Sequence, residues 1–154
     1  MKNIYYIVLL FFLIFYACTK KNIQNQTTIS SEDSLSTYLS KANDFSSTTK
    51  KRQEYIQKAF TIIVNQPNDS LQRVNLFRVA NRYYNLNDWK KYQEIAQLVL
   101  EKAVNSKDTV SIAKAYSYLG DYYGSQGVSD SAFIFYFKAE KIYLLYPDRC
   151  ADLV

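Results

Sequence analysis

The chain has 154 residues, 48% of them hydrophobic and 21% charged, which is enough for one domain with its own core. Its formal charge is +5, but no run of Lys and Arg exceeds Lys50, Lys51 and Arg52, and no recognition motif points to nucleic acid. Histidine is absent and the two cysteines, Cys18 and Cys150, lack metal-type spacing, which excludes zinc centres and Cys/His nucleophiles. Three glycines and two prolines are too few for a protein of tight β-turns and favour long helices.

The chain opens with Met1-Lys2-Asn3, a short positive start, followed by an unbroken apolar and aromatic run from Ile4 to Tyr16. As a helix this run reaches only ~20 Å, against a bilayer core of about 30 Å, so it reads as the apolar core of a signal peptide. Ala17-Cys18 follows and resembles a bacterial lipobox, with Phe15 and Tyr16 standing where Leu and Ser or Ala are usual. Loose versions of this signal are common in the Bacteroidetes, which the composition resembles. The resemblance implies that residues 1–17 are removed and that Cys18 is acylated and becomes the first mature residue. No aspartate follows Cys18, so the same resemblance implies an outer-membrane lipoprotein, and the absence of the acidic surface-export signal of Bacteroidetes lipoproteins implies that it faces the periplasm. Acylation of Cys18 would leave Cys150 without an intrachain partner. Residues 18–33 are polar and read as a tether of roughly 20 Å typical span.

Helices are expected at 34–43, 49–65, 70–85, 89–105, 110–124 and 130–146. Asp69 precedes one of them with Gln72 three residues on, an arrangement resembling a capping box. Asp88, Asp108 and Asp130 stand at three other starts, each placed to accept from a free backbone amide. Pro67 and Pro147 fall just past helix ends, where they stop a helix without breaking one. Gly124 and Gly127 flank the last turn.

A shift of 40 residues superposes the body on itself. Leu39, Val79 and Leu119 align as apolar residues, and Ser40, Ala80 and Gly120 as small ones. Ala59, Val99 and Ala139 align, as do Ile63, Ala103 and Tyr143, and Tyr83 falls on Tyr123. The last period carries Tyr116, Leu119, Gly120 and Tyr123, then Ala132 and Tyr136, with Ala139 and Pro147 beyond. These spacings resemble the tetratricopeptide repeat, W-x2-L-G-x2-Y followed by A-x3-F, with tyrosine in place of Trp and Phe. The middle period keeps Leu76, Val79, Ala80, Tyr83, Tyr92 and Ala96. The first keeps Leu39, Ser40, Ile56 and Ala59.

The resemblance implies an all-α fold, an α-solenoid of antiparallel helix pairs in about three repeats over residues 34–147. Packing between helices would then rest on Leu39, Ala80, Tyr83, Tyr116, Leu119, Gly120, Tyr123, Ala132, Tyr136 and Ala139. Gly120 would let the neighbouring helix approach and bring Ala132 close. Tyr83, Tyr92, Tyr116, Tyr123, Tyr136 and Tyr143 fall on core positions, and Trp89 is expected to pack beneath its turn.

By the same resemblance, the concave face would present Phe77, Arg78, Asn81, Tyr84, Lys114, Ser117 and Asp121. Arg78, Asn81 and Lys114 are a partial set for a peptide carboxylate. Phe133, Ile134, Phe135, Tyr136 and Phe137 make the last helix apolar nearly all round, a pattern that wants an outer neighbour. The eight residues Pro147 to Val154 after the last expected helix, of which 148–154 form the tail, are too few for the polar capping helix that solenoids need. Either the chain is cut from a longer parent, or its open end docks on another copy or a partner.

No nucleophile elbow, phosphate loop or paired carboxylates stand out. The expectation is a non-catalytic, membrane-anchored protein that binds a protein or peptide in the cell envelope, with no cofactor, no metal and no nucleic acid. The alternative is the sensory repeat region of a longer histidine kinase or helix-turn-helix regulator.

Overall fold

A computed structural model describes residues 33–150. The expected signal segment, Cys18 and the expected tether up to residue 32 lie outside them. Helix α1 covers 33–42. It is followed by α2 (Thr49–Val64), α3 (Ser70–Tyr84), α4 (Trp89–Asn105), α5 (Thr109–Ser125), α6 (Ser129–Leu145) and the short α7 (Pro147–Cys150). The described residues contain no strand, and each expected helix is present with its ends within one residue. Pro147 falls just past the end of α6, as expected, and also opens α7 at the first helical position, where its missing amide hydrogen is no loss. The chain divides into two compact units at Ser36/Thr37, and helices α2 to α7 all belong to the second.

Each long helix packs against the next in sequence. Pairs of contacts show that neighbours run antiparallel. Across α5 and α6, Tyr123 stacks on Phe135 and the Ser117 hydroxyl meets that of Tyr143 at 2.9 Å. Helices α3 and α5 run parallel instead, with Arg73 against Asp108 and Phe77 against Tyr118.

The three reversals that follow α3, α4 and α5 share one geometry, which the α2/α3 turn lacks. Asn87, Lys107 and Gly127, spaced 20 residues apart, all adopt left-handed backbone with φ of 56°, 55° and 72°. The following amides of Asp88, Asp108 and Val128 donate back to the carbonyls of Tyr83, Ala103 and Tyr123 at 3.0, 2.9 and 2.9 Å. This pattern satisfies carbonyls that the ending helix would leave open.

Three aspartates cap helix starts as expected. Asp69, Asp88 and Asp108 accept from the amides of Gln72, Lys91 and Ser111. Two expectations are corrected. Asp130 is not a cap: α6 begins after Val128, which offers no side-chain acceptor, and Asp130 lies in the first turn. Gln72 does not close a capping box either. Its side-chain nitrogen donates to the carbonyls of Ile63 and Gln66 at the end of α2, because it is wholly buried against that helix.

The core follows the 40-residue spacing. Leu39, Val79 and Leu119 are all buried, as are Ala59, Val99 and Ala139. Ser40 departs from it, being exposed where Ala80 and Gly120 are buried. Tyr83 and Tyr92 are core residues, whereas Tyr116, Tyr123 and Tyr143 are half-buried and Tyr136 is 43% exposed. Large phenols reach past the two-helix contact, so their hydroxyls end at its edge.

Polar contacts tie α3 to its parallel neighbours. Arg73, 4% exposed, donates to Asp108 at 2.8 Å while its other nitrogens reach Asn68 and Ser70. Burial opposes charge on Asp108, but bonds from Ser111 and Arg73 outweigh it and hold the carboxyl below its usual range. On the other side, Arg82 donates to the Leu39 carbonyl at 3.1 Å.

Gly120 makes room for Tyr136 rather than for Ala132. A Cβ there would lie 2.5 Å from Tyr136 Cε1 and 2.6 Å from Cδ1, whereas Ala132 sits opposite Gly124. A mid-helix glycine costs about 1 kcal/mol against alanine; here the missing side chain lets a ring lie flat on α5. We expect Gly120→Leu to destabilise the fold by about 1–3 kcal/mol through overpacking. In urea unfolding, Tyr136→Ala in the same chain should recover part of that loss; strict additivity of the two changes would show that they do not touch.

Candidate binding surface

The surface shared by α3 and α5 is built on one side by residues three and four apart, which helical geometry places on one face. From α3 it takes Phe77, Arg78, Asn81 and Tyr84; from α5, Lys114, Tyr118 and Asp121. Rings form a continuous column across it. Tyr84 meets Trp89 edge-on at 4.9 Å and Tyr92 at 5.6 Å. Tyr92 stacks on Tyr118 at 5.2 Å, and Tyr118 meets the edge of Phe77 at 4.9 Å. Lys114 Nζ then lies 5.1 Å from the Phe77 centroid, in the range of a cation–π contact.

Asp121 organises the other end. Its two carboxylate oxygens accept from the hydroxyls of Tyr92 at 2.9 Å and Tyr136 at 2.8 Å, so one side chain on α5 holds α4 and α6 together. Tyr136 can reach it because its ring lies on Gly120, the preceding residue. Burial and then the Asp121 carboxylate push the Tyr92 phenol far above its ordinary range. The same causes push Tyr136 up to about 12. Tyr118 is also raised, by burial, while its bond with Asn81 acts the other way. Burial draws the Lys114 ammonium down.

The structure gathers most, but not all, of the residues expected on this face. Arg78, Asn81 and Tyr84 are exposed, and Lys114 and Asp121 are half-buried. Arg78 leans on Asn75 at 3.2 Å. Phe77 is not available to a ligand: it is 3% exposed beneath Lys114 and Tyr118. Ser117 turns away from α3 and bonds with Tyr143 of α6. Tyr118, absent from the expected set, is central. It lies four residues after Lys114 and three before Asp121, so the spacing that selects those two also selects it. Trp89 joins the column, packed against Tyr84 and Tyr92 on either side of its turn.

A separate shallow groove of about 530 Å³ lies along α2, lined by Tyr38, Glu54, Gln57, Lys58, Thr61 and Ile62. Among the described residues no cluster of His, Cys, Asp and Glu could hold a metal ion, and no helix is long and apolar enough to cross a membrane. The chemistry on offer at the α3/α5 surface is hydrogen bonding and stacking. Comparisons with family models, curated proteins and solved structures find no match.

The raised phenols carry a pH dependence. The folded chain keeps protons on Tyr92 and Tyr136 that the unfolded chain, with phenols at 10.0, releases. Their contribution to stability is therefore whole below pH 10 and is lost as pH rises towards about 12. Urea unfolding followed from neutral to alkaline pH should show Tyr92→Phe losing less stability over that rise than the parent chain. Parallel curves would contradict the assignment.

Proposed function

We propose that this chain is a non-catalytic repeat protein of the tetratricopeptide type, an α-solenoid that binds a protein or peptide segment at the α3/α5 surface while held to the cell envelope by lipid on Cys18. The observation that carries the reading is the parallel placement of α3 and α5, which sets exposed Arg78, Asn81 and Tyr84 beside the half-buried Lys114 and Asp121. The turn repeated at Asn87, Lys107 and Gly127 supports the helix-pair architecture. Asn81 and Arg78 can bond an extended backbone or a terminal carboxylate, and Tyr84 offers a ring to an apolar side chain. The Ala17-Cys18 pair behind an apolar run supports the anchor.

A second reading is the sensory repeat region of a longer signalling protein. It is favoured by the outer face of α6, where Phe133 is 70% and Leu144 74% exposed; such a face suits a following segment.

The test uses the full chain in its native envelope with a photo-cross-linking amino acid in place of Arg78 or, as a control, of the exposed Gln97 on α4. The proposal predicts one defined adduct from position 78 and none from position 97, with an acylated Cys18 as the N-terminal residue by mass spectrometry. Equal labelling from both positions would refute the surface, and an N-terminus at Met1 would refute the anchor.

A further inference from the structure

The inward side of α6 is narrow: of its residues only Ala132 and Ala139 are buried. Its outward side is a long apolar stripe. Asp130, Ile134, Phe137, Lys141 and Leu144 follow one another at alternating spacings of four and three, the period that keeps one seam of a helix facing a partner helix. Phe133 and Leu145 flank the seam. Phe133, Ile134, Phe137, Leu144 and Leu145 are 70, 51, 44, 74 and 72% exposed. Phe133 stacks on Phe137 at 6.0 Å, and Lys141 Nζ lies 4.5 Å from the Phe137 centroid. The stripe is thus preformed, with an acid at its start and a base between Phe137 and Leu144.

We propose that this face pairs with the same face of a second copy of the chain, α6 against α6, antiparallel about a two-fold axis. Two observations choose that occupant. The first is charge. In an isologous contact each residue meets its own complement. If Ile134 of one copy packs on Phe137 of the other, the same register sets Asp130 opposite Lys141, and the two-fold repeats both contacts. A seam with apolar residues between one acid and one base matches itself only in this direction; a parallel pair would set Asp130 on Asp130 and Lys141 on Lys141.

The second is area. With about 150–250 Å² per fully buried aromatic, the stripe presents several hundred Å² per copy. That lies within the about 300–600 Å² found for the largest, often functional, patch on a typical monomer. The pairing does not depend on what the α3/α5 surface binds.

Sedimentation of the full chain in non-ionic detergent tests it. The parent chain is expected to dimerise. Asp130→Lys alone and Lys141→Asp alone should each weaken the dimer at least tenfold, because each sets like charges against one another at both ends. The double variant, Asp130→Lys with Lys141→Asp, should restore it, and mixing the two single variants should form the heterodimer. All four proteins should show the same helical circular dichroism. A parent chain monomeric at tens of micromolar would overturn the proposal; this is also the outcome if another segment of the chain covers the face. A dimer indifferent to all three sets of changes would place the contact elsewhere and overturn it equally.

Discussion

The arrangement of the last four long helices depends on the way α3, α4 and α5 are turned back. An amphipathic helix of 15 to 17 residues has little stability alone and gains most of it by covering its apolar stripe. The stripe is covered only if the next helix returns at a fixed angle and register. Asn87, Lys107 and Gly127 supply that return with the same left-handed backbone, and Asp88 and Asp108 immediately start the next helix by capping it. The repeated turn puts Tyr92 under Tyr118 and Ala132 against Gly124. Asp108 shows how closely the steps are coupled, since the carboxylate that caps α5 also takes the buried Arg73 of α3.

With the helices returned in register, tyrosine does two jobs. Its ring fills space between helices, and its hydroxyl must then find a partner at the edge of the contact. Asp121 meets that need for two tyrosines at once. The result is a polar point inside an aromatic column, close to the exposed Tyr84 and Asn81. That combination is the chemical character of the surface. The outer side of α6 is the opposite case: its aromatics stack on one another and on Lys141 without cover.

Most of the architecture is legible in the sequence because it is periodic. Apolar spacing and the three aspartate caps place the helices, and the 40-residue shift finds Leu39, Val79 and Leu119 as buried equivalents. Asp130 misleads because an aspartate in the first turn and one at the cap differ by two residues and only backbone geometry separates them. Gly120 is recognisable as a site of close approach, but its occupant is not, since the sequence does not say that a tyrosine four residues after Ala132 lies across it. Ser117 and Phe77 share the face of Lys114 and Asp121 by count, yet side-chain size decides the outcome. Phe77 sinks under its neighbours, and the short Ser117 side chain is taken by the hydroxyl of Tyr143. Tyr118 escapes notice because tyrosine is abundant here and composition hides its placement.

The central claim, that one turn geometry recurs and sets the register of the helices, can be read at three amides. Those of Asp88, Asp108 and Val128 lie beyond the helix ends and would exchange fast in an open loop. The account predicts slow hydrogen exchange at all three, since each donates to a carbonyl five residues back. Exchange at the rate of an unstructured peptide at these positions, with the flanking helices still protected, would contradict it.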